Sequence, residues 1–260
     1  MDSNSLSPAV ITDNLETRLI GQRVIYYPQL ASTMNMARQE ALKGAVEGTV
    51  IITDEQTAGR GRMKRAWLSP QGSIALSIIV YPAIAYLPYL TMVASLATVR
   101  TIEAMTGLKA QIKWPNDVLI NGRKACGILI ESKVSRNKVL YAVIGIGINA
   151  NFRPADFSAI PMTATSLADE LGKETSRVNI IRHLLVETER LYLALSNREA
   201  VYQEWRDRLV TLGRRVQVQS AKTILSGIAE SVAHDGTLLL RHSNGSLTEV
   251  VAGDVSLRDE

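Results

Sequence analysis

The chain has 260 residues, 46% hydrophobic and 21% charged, which is enough for one large or two smaller domains with a buried core. Its formal net charge of +4 suits small anionic ligands such as nucleotides but is too low to indicate nucleic-acid binding by itself. The single cysteine excludes an intrachain disulfide and a cysteine-cluster metal site, and the three histidines show no metal-ligand spacing.

Nothing in the sequence predicts a membrane span, because no apolar run reaches the roughly 18 residues that a spanning helix needs. The first residues, MDSNS, lack the basic and apolar regions of a signal peptide. We therefore expect a cytoplasmic protein without a membrane partner.

The first part of the chain predicts strands interleaved with helices. In chain order we expect a short lead over residues 1–22 with a partial helix around 13–19, a strand over 23–27 ending near Pro28, a helix over 34–43 capped by Ser32 and Thr33, strands over 48–53 and 72–81, a helix over 89–105, and strands over 110–114, 117–130 and 138–148. Further helices are predicted over 166–172, of which Thr165 and Ser166 form the cap, and over 177–196 and 198–209.

The segment 117–130 predicts a β-hairpin. Its Asn121-Gly122 pair is the preferred sequence for a two-residue type I′ turn. That register places Leu119 opposite Lys124, so that Asp117 and Lys124 project from the same face of the hairpin.

A composition change at residues 212–213 marks the start of a region of short strands and polar turns. Strands are expected over 215–219, 223–233, 237–241, 248–251 and 255–257, with hairpin turns at Asp235-Gly236 and Asn244-Gly245. The predicted fold class is α+β, with a lead over 1–22, a ligand-binding domain over 23–210 that has a mixed β-sheet and flanking helices, and a small β-barrel over 211–260.

The loop between the strands 48–53 and 72–81 carries four cations within six residues. They are Arg60, Arg62, Lys64 and Arg65, and Gly59 and Gly61 lie beside them. Glycine permits close backbone approach to a ligand, and guanidinium groups bind phosphate or carboxylate through two parallel hydrogen bonds. The pattern indicates a lid over an anionic ligand; the alternative is a solvated hairpin tip.

Two further stretches contain candidate ligand-binding residues. Lys113 ends a strand next to the rigid Trp114-Pro115 corner, which favours a fixed cation over an exposed edge lysine. Gly145-Ile-Gly147-Ile-Asn149 lacks the third glycine of a dinucleotide-binding motif, and no Walker loop is present. Glycines in a buried strand also mark close packing.

These stretches resemble the motifs of biotin protein ligases. GRGRMKRAW over 59–67 resembles the family signature Gly-Arg-Gly-Arg-x-x-Arg-x-Trp, and KWPND over 113–117, followed by a hairpin lysine at Lys124, matches a second family motif. The segments 212–216, 236–241 and 253–257 resemble the family's SH3-like barrel, so the resemblance runs from about residue 23 to 258. It implies a catalytic domain with a class II synthetase-like mixed sheet.

The resemblance implies an ATP-dependent ligase that forms biotinyl-5′-AMP and transfers biotin to a lysine of a biotin carboxyl carrier protein domain of a biotin-dependent carboxylase. ATP and biotin are the implied substrates, with Mg²⁺ carried mainly by the phosphates. The implied biotin-binding residues are Ser32, Thr33, Gln56, Arg60, Gly61, Arg62 and Lys124. The implied ATP-binding residues are Arg62, Arg65, Trp67, Lys113, Asn116, Asp117 and Asn149, of which Lys113 and Arg62 are also implied to be catalytic, and no protein metal ligand is implied.

Departures from the family pattern and alternative functions complete the interpretation. Met34 stands where many members have asparagine, and Met63-Lys64 where many have a basic residue and glycine. A homodimer is possible, and because only about 22 residues precede the first predicted strand, too few for a three-helix DNA-binding unit, no DNA binding is expected. The alternatives are a lipoate–protein ligase, whose substrate lacks the polar ureido ring, and a non-catalytic biotin- or nucleotide-sensing regulator.

Overall fold

The computed structural model describes residues 6–220 and 223–257, and its larger part is built on a seven-stranded mixed sheet. The strands are β1 (Val24–Leu30), β2 (Val50–Gln56), β3 (Ile74–Val80), β4 (Ala110–Lys113), β5 (Asp117–Ile120), β6 (Arg123–Ser135) and β7 (Lys138–Ile148). Their spatial order is β1-β2-β3-β7-β6-β5-β4. Strands β1 and β2 pair in parallel, and the other neighbours pair antiparallel.

Helices cover both faces of this sheet. They are α1 (Pro8–Thr12), α2 (Thr33–Leu42), α3 (Leu90–Thr106), α4 (Leu167–Leu171), α5 (Arg177–Leu193) and α6 (Arg198–Asp207). The main core packs α3, α5 and α6 against one face, whereas α2 packs on the other face in a smaller cluster with Ile51, Ile79 and Val143. None of the described helices is long and apolar enough to cross a membrane.

A second sheet follows α6. Its strands are β8 (Arg215–Ser220), β9 (Thr223–Val232), β10 (Leu238–Arg241), β11 (Leu247–Val250) and β12 (Asp254–Leu257), in the antiparallel order β11-β10-β9-β8-β12. The predicted α+β class, with a mixed sheet and a separate small β unit, is confirmed. Residue 258, where the family resemblance ends, and the last two residues of the predicted barrel region, 259–260, lie outside the described part.

The predicted hairpin turn and the pairs next to it are confirmed, although a β-bulge between Val118 and Leu119 shifts the pairing by one residue further along β5. Asn121 and Gly122 have φ values of 49° and 75°, as a type I′ turn requires, and Leu119 lies opposite Lys124. The strand predicted over 138–148 has the observed bounds of β7, and α3 ends at Gly107 in the left-handed conformation. Ser166 accepts a hydrogen bond from the Asp169 N–H at the start of α4, as its capping position predicts.

Three local predictions were wrong. The N-terminal helix is α1 rather than residues 13–19, and its Ile11 is fully buried in the core. Strand β1 continues through Pro28 to Leu30; a proline is tolerated because β1 is an edge strand, where one N–H can be absent from the ladder. Ser32 occupies the N-cap position of α2 without making a side-chain cap, because its hydroxyl has no hydrogen-bond partner among the described residues.

Candidate active site

A cavity of about 410 Å³ lies where the two sheets meet. Every site residue predicted from the sequence lines it except Ser32, whose side chain is 2% exposed. Residues far apart in sequence are thus brought together by α2, β2, β4 to β7 and the loop over 59–67, which we call the lid loop.

One end of the cavity is polar and uncharged. Gln56 Oε1 accepts hydrogen bonds from the backbone N–H of Thr33 at 2.9 Å and from its hydroxyl at 3.2 Å. Ser77 in turn donates to the Thr33 hydroxyl at 2.8 Å. This chain fixes the Gln56 amide, and the buried Ser32 hydroxyl beside Thr33 lacks a partner in the described part of the chain. The arrangement suits a compact polar group without charge.

The centre of the cavity is cationic. Asp117 forms two ion pairs: its Oδ1 lies 2.6 Å from Lys124 Nζ, and its Oδ2 lies 3.6 Å from Lys113 Nζ. Two ammonium groups therefore share one carboxylate. The predicted projection of Asp117 and Lys124 to one face of the hairpin is therefore confirmed. Because one carboxylate cannot neutralise two lysines, this point attracts a further anion.

The lid loop is folded down over this cationic centre as a small hairpin. Its backbone closes through Gly61 N–H to Arg65 O at 2.8 Å and Trp67 N–H to Gly59 O at 2.9 Å. Arg62 reaches into the cavity and donates to Asn116 Oδ1 at 3.1 Å. Burial lowers the pKa of the Arg62 guanidinium, partly offset by nearby carboxylates, which means that this cation is poorly solvated and gains from binding an anion.

Trp67 anchors the end of the lid loop on two glycines. Gly127 and Gly147 pair across β6 and β7. A Cβ at Gly147 would lie 2.5 Å from the indole nitrogen of Trp67, and one at Gly127 would lie 2.8 Å from Cζ3. The glycine-rich pattern in β7 therefore provides close packing rather than a dinucleotide-binding turn. Lys124 Nζ also lies 5.4 Å from the Trp67 ring centroid, within cation–π distance.

Met34, which stands where many family members have asparagine, and the asparagine that follows it make different contacts. Met34 is buried and lines the cavity, and a Cβ at Gly145 would lie 2.5 Å from its sulfur. Asn35 accepts a hydrogen bond from Arg60 at 3.0 Å, and Arg60 also pairs with Glu131 at 2.8 Å. Arg60 is therefore engaged at the edge of the cavity by groups of the protein itself.

The tip of the lid loop has an unusual backbone. Met63 and Lys64 both adopt left-handed conformations, with φ values of 52° and 61°. Non-glycine residues disfavour this region by about 1 kcal/mol or more each. The structure thus shows why glycine suits this part of the loop.

Asn149 acts on the backbone of a neighbouring segment. Its side chain is 4% exposed and donates to Thr165 O at 2.9 Å. Lys124 pairs with the same segment through two backbone hydrogen bonds. Its N–H donates to Thr163 O, and its carbonyl oxygen accepts from the Thr165 N–H. Residues 159–164 are thereby held as one wall of the cavity.

Sequence reasoning missed two groups of lining residues. They are Ala159, Ile160, Pro161, Thr163 and Ala164 from that wall, and Gln217, Gln219, Ile224, Asp254, Val255 and Ser256 from the second sheet. Neither group forms a local motif, because both reach the cavity through long-range pairing. Within residues 6–220 and 223–257, no three His, Cys, Asp or Glu side chains are grouped as a metal site.

Comparisons with known proteins agree with this geometry. Residues 26–149 match the model of the biotin/lipoate A/B protein ligase family, and residues 211–258 match that of the biotin protein ligase C-terminal domain. Similar proteins include the bifunctional ligase/repressor BirA of Bacillus subtilis, 36% identical over 97% of this chain and 79% of its own length. The biotin–[acetyl-CoA-carboxylase] ligase of Mycobacterium tuberculosis is 30% identical over 98% of both chains.

A solved structure gives the same result for the fold. The biotin protein ligase from Aquifex aeolicus, in complex with biotin and ATP, is 26% identical and superposes with a TM-score of 0.78 over 92% of this chain and all of the other. The fold is therefore shared with a solved biotin protein ligase, and the relatives from Bacillus subtilis and Mycobacterium tuberculosis align along nearly the whole of this chain. This protein belongs to the biotin protein ligase family.

Proposed function

We propose that this chain is an ATP-dependent ligase that forms biotinyl-5′-AMP and transfers biotin to a lysine of a biotin carboxyl carrier protein. The main support for the proposal is that one cavity has both an uncharged polar end, at Thr33 and Gln56, and a cationic centre, at Lys113 and Lys124. Biotin has the matching form, with a polar neutral ring at one end and a carboxylate at the other. The Aquifex aeolicus relative, which binds biotin and ATP, supports the same assignment.

The neutral end is proposed to hold the ureido ring. Gln56 and Thr33 are already fixed by hydrogen bonds to each other, so little side-chain entropy is lost on binding. The hydroxyl of Ser32, buried without a partner among the described residues, provides a further polar group at this end. A dithiolane ring offers no comparable hydrogen-bonding groups, which makes biotin a better match than lipoate.

The cationic centre is proposed to bring two anions together. In the first step a biotin carboxylate oxygen bonds to the α-phosphorus of ATP, and the bond from that phosphorus to the bridging oxygen breaks to release pyrophosphate. Lys124 neutralises the carboxylate, Lys113 neutralises both the carboxylate and the α-phosphate, and Arg62 closes over them. Asp117 holds both lysines at this point before the substrates arrive. Preorganised cations of this kind stabilise a transition state without reorganising during the reaction.

The nucleotide is proposed to lie along Arg65, Trp67, Asn116 and Asn149, all of which line the cavity. Mg²⁺ enters this proposal as part of the MgATP substrate, bound mainly by phosphate oxygens and water. Asp117, the carboxylate at the cationic centre, is already engaged by two lysines. It therefore serves to position those lysines.

In the second step, the amine of a carrier lysine attacks the acyl carbon of biotinyl-5′-AMP, forms an amide and releases AMP. Water must be kept from the mixed anhydride until the carrier arrives. The lid loop, with Arg62 pointing inward and Trp67 seated on glycines, is proposed to serve this purpose.

The proposal is tested by measuring pyrophosphate release from MgATP with biotin or lipoate, followed by transfer of the acyl group to a biotin carboxyl carrier domain. Release with biotin alone, and subsequent labelling of the carrier, is the expected result. Release with lipoate alone would assign the protein to lipoate transfer. Tight biotin binding without pyrophosphate release would favour the regulator.

Self-association and DNA binding are tested by a second experiment. The proposal allows a homodimer, as the family resemblance implies, and includes no DNA partner. Sedimentation velocity with and without biotin, ATP and duplex DNA measures both properties in one series.

A further inference from the structure

Strand β4, which ends at Lys113, lies at the outer edge of the large sheet. Its free edge is covered by the segment that leads into the second sheet. The N–H of Ile112 donates to Arg208 O at 3.0 Å, and the N–H of Val210 donates to Ile112 O at 3.0 Å. The backbone immediately before Lys113 is therefore held by residues that follow α6.

The residue after Lys113 is held from the same side. The backbone N–H of Trp114 donates to the Thr211 hydroxyl at 2.9 Å, and its indole N–H donates to Gly236 O at 2.8 Å. Trp114 is 1% exposed and Thr211 is fully buried. Gly236 lies in the β9–β10 turn, so both donors of Trp114 end on the C-terminal part of the chain.

The turn that receives Trp114 is itself fixed against the large domain. Gly236 has a φ of 87° and lies next to the side chains of Met92 and Trp205, since a Cβ added at this glycine would be in van der Waals contact with both. The hydroxyl of Tyr202 also donates to Val232 O at 2.6 Å, just before this turn. The turn that accepts the indole hydrogen bond of Trp114 is thus held against the large domain by a hydrogen bond and by packing.

Lys113 needs such support because its side chain has four rotatable bonds and a single charged atom to place. Its Nζ lies 3.6 Å from Asp117, which is too far to fix the side chain through a hydrogen bond. The direction of the side chain therefore depends on the position of the backbone over residues 112–114, which sets the direction of the Cα–Cβ bond of Lys113.

We propose that Trp114 is a positioning residue through which the C-terminal domain sets Lys113 for the adenylation step. This inference rests on the proposed function, since it concerns the first half-reaction of that function. Trp114 contributes through two hydrogen bonds that it donates. The bond to Thr211 fixes its backbone, and the bond to Gly236 fixes its ring. The role of the second sheet in the chemistry thus includes orientation of a lysine on the other domain.

The test removes each hydrogen bond separately. Trp114→Phe removes the indole donor, Thr211→Val removes the hydroxyl at nearly constant volume, and Thr211→Ser retains a hydroxyl. We expect the single-turnover rate of pyrophosphate release at saturating biotin and MgATP to fall about tenfold in the first two variants, the scale of a small displacement of a catalytic group. Thr211→Ser should retain most of the rate, and the Kd for biotin without ATP should stay unchanged in all three.

Trp205 provides a matched control. It is 2% exposed in the same interdomain region, and its indole N–H has no partner among the described residues. Trp205→Phe therefore removes the same atoms from a ring that also lies beside the Gly236 turn, but removes no hydrogen bond, so it measures the effect of lost packing at this turn alone. The proposal requires that Trp205→Phe keep a rate at least severalfold above that of Trp114→Phe when both are measured well below their unfolding temperatures.

A double-mutant cycle separates positioning from general support of the fold. If Trp114 acts through Lys113, then adding Trp114→Phe to Lys113→Ala should cause no further loss of rate. Equal losses in both backgrounds, or rates of Trp114→Phe and Thr211→Val within twofold of the unsubstituted protein, would overturn the inference. If the unsubstituted protein releases no pyrophosphate with biotin, the proposed function itself fails, which is a distinct result.

Discussion

Arg65 Nη2 lies 2.5 Å from a carboxylate oxygen of Asp254, which connects the lid loop to the last strand of the C-terminal sheet. The contact is an ion pair without hydrogen-bond geometry, and it engages an arginine whose neighbours, Met63 and Lys64, depart from the family pattern. It also places a negative charge near Arg62, where it opposes the lowering of the Arg62 pKa by burial. The closed position of the lid loop therefore depends on both sheets.

Asp254→Asn should loosen the lid loop. The Arg65 side chain is 60% exposed, so the ion pair contributes less than about 1 kcal/mol and the expected increase in the escape rate of biotinyl-5′-AMP is about threefold. Retention of radiolabelled intermediate after rapid gel filtration measures this rate. Glu230→Gln is the control, because it breaks an ion pair with Arg241 on the same sheet away from the lid loop. Equal escape from both variants would contradict the role of Asp254.

Arg62→Gly should separate synthesis of the intermediate from its retention. Arg62 closes the cavity through its hydrogen bond to Asn116, whereas two lysines remain at the cationic centre. We expect adenylate synthesis to be largely preserved and the intermediate to escape into solution, where hydroxylamine trapping detects it.

Lys64→Gly provides the control for Arg62→Gly. It removes a cation from the same loop that does not line the cavity, at a position whose φ of 61° glycine adopts readily. Its retention of the intermediate should match that of the unsubstituted protein. Unchanged retention in Arg62→Gly would exclude Arg62 from closure of the site.

The sequence alone predicted the parts of the site that depend on local geometry. The Asn121-Gly122 turn determined the register that joins Asp117 to Lys124, and the lid loop was located by its glycines and cations. Asp254 and the wall over 159–164 could not be predicted, because their positions depend on how distant segments pair. The N-terminal helix was misplaced for a similar reason: burial of Ile11 against the core, rather than local propensity, determines where it forms.

Lys113→Ala should slow the release of pyrophosphate. The expected loss of transition-state stabilisation is more than about 2 kcal/mol, the scale measured for one preorganised charge-stabilising group. The loss is expected because Lys113 and Lys124 share only Asp117, so neither ammonium is fully neutralised before substrate binds. Stopped-flow measurement with a pyrophosphate-coupled reporter gives the rate.

Lys109→Ala is the matched control for Lys113→Ala. Lys109 is exposed just before β4 and does not line the cavity, so its loss changes net charge equally without changing the site. A rate for Lys113→Ala close to that for Lys109→Ala would remove Lys113 from the adenylation step.

Gly147→Ala should destabilise the protein and misplace the lid loop, since the added methyl group would lie 2.5 Å from the indole nitrogen of Trp67. Overpacking of this kind costs about 1–3 kcal/mol, which urea denaturation measures directly. The same substitution made together with Trp67→Ala should cost much less, because the clashing ring is gone. An equal cost in both backgrounds would show that Gly147 is needed for another reason, whereas a reduced cost would confirm that the glycine makes room for the tryptophan at the base of the lid loop.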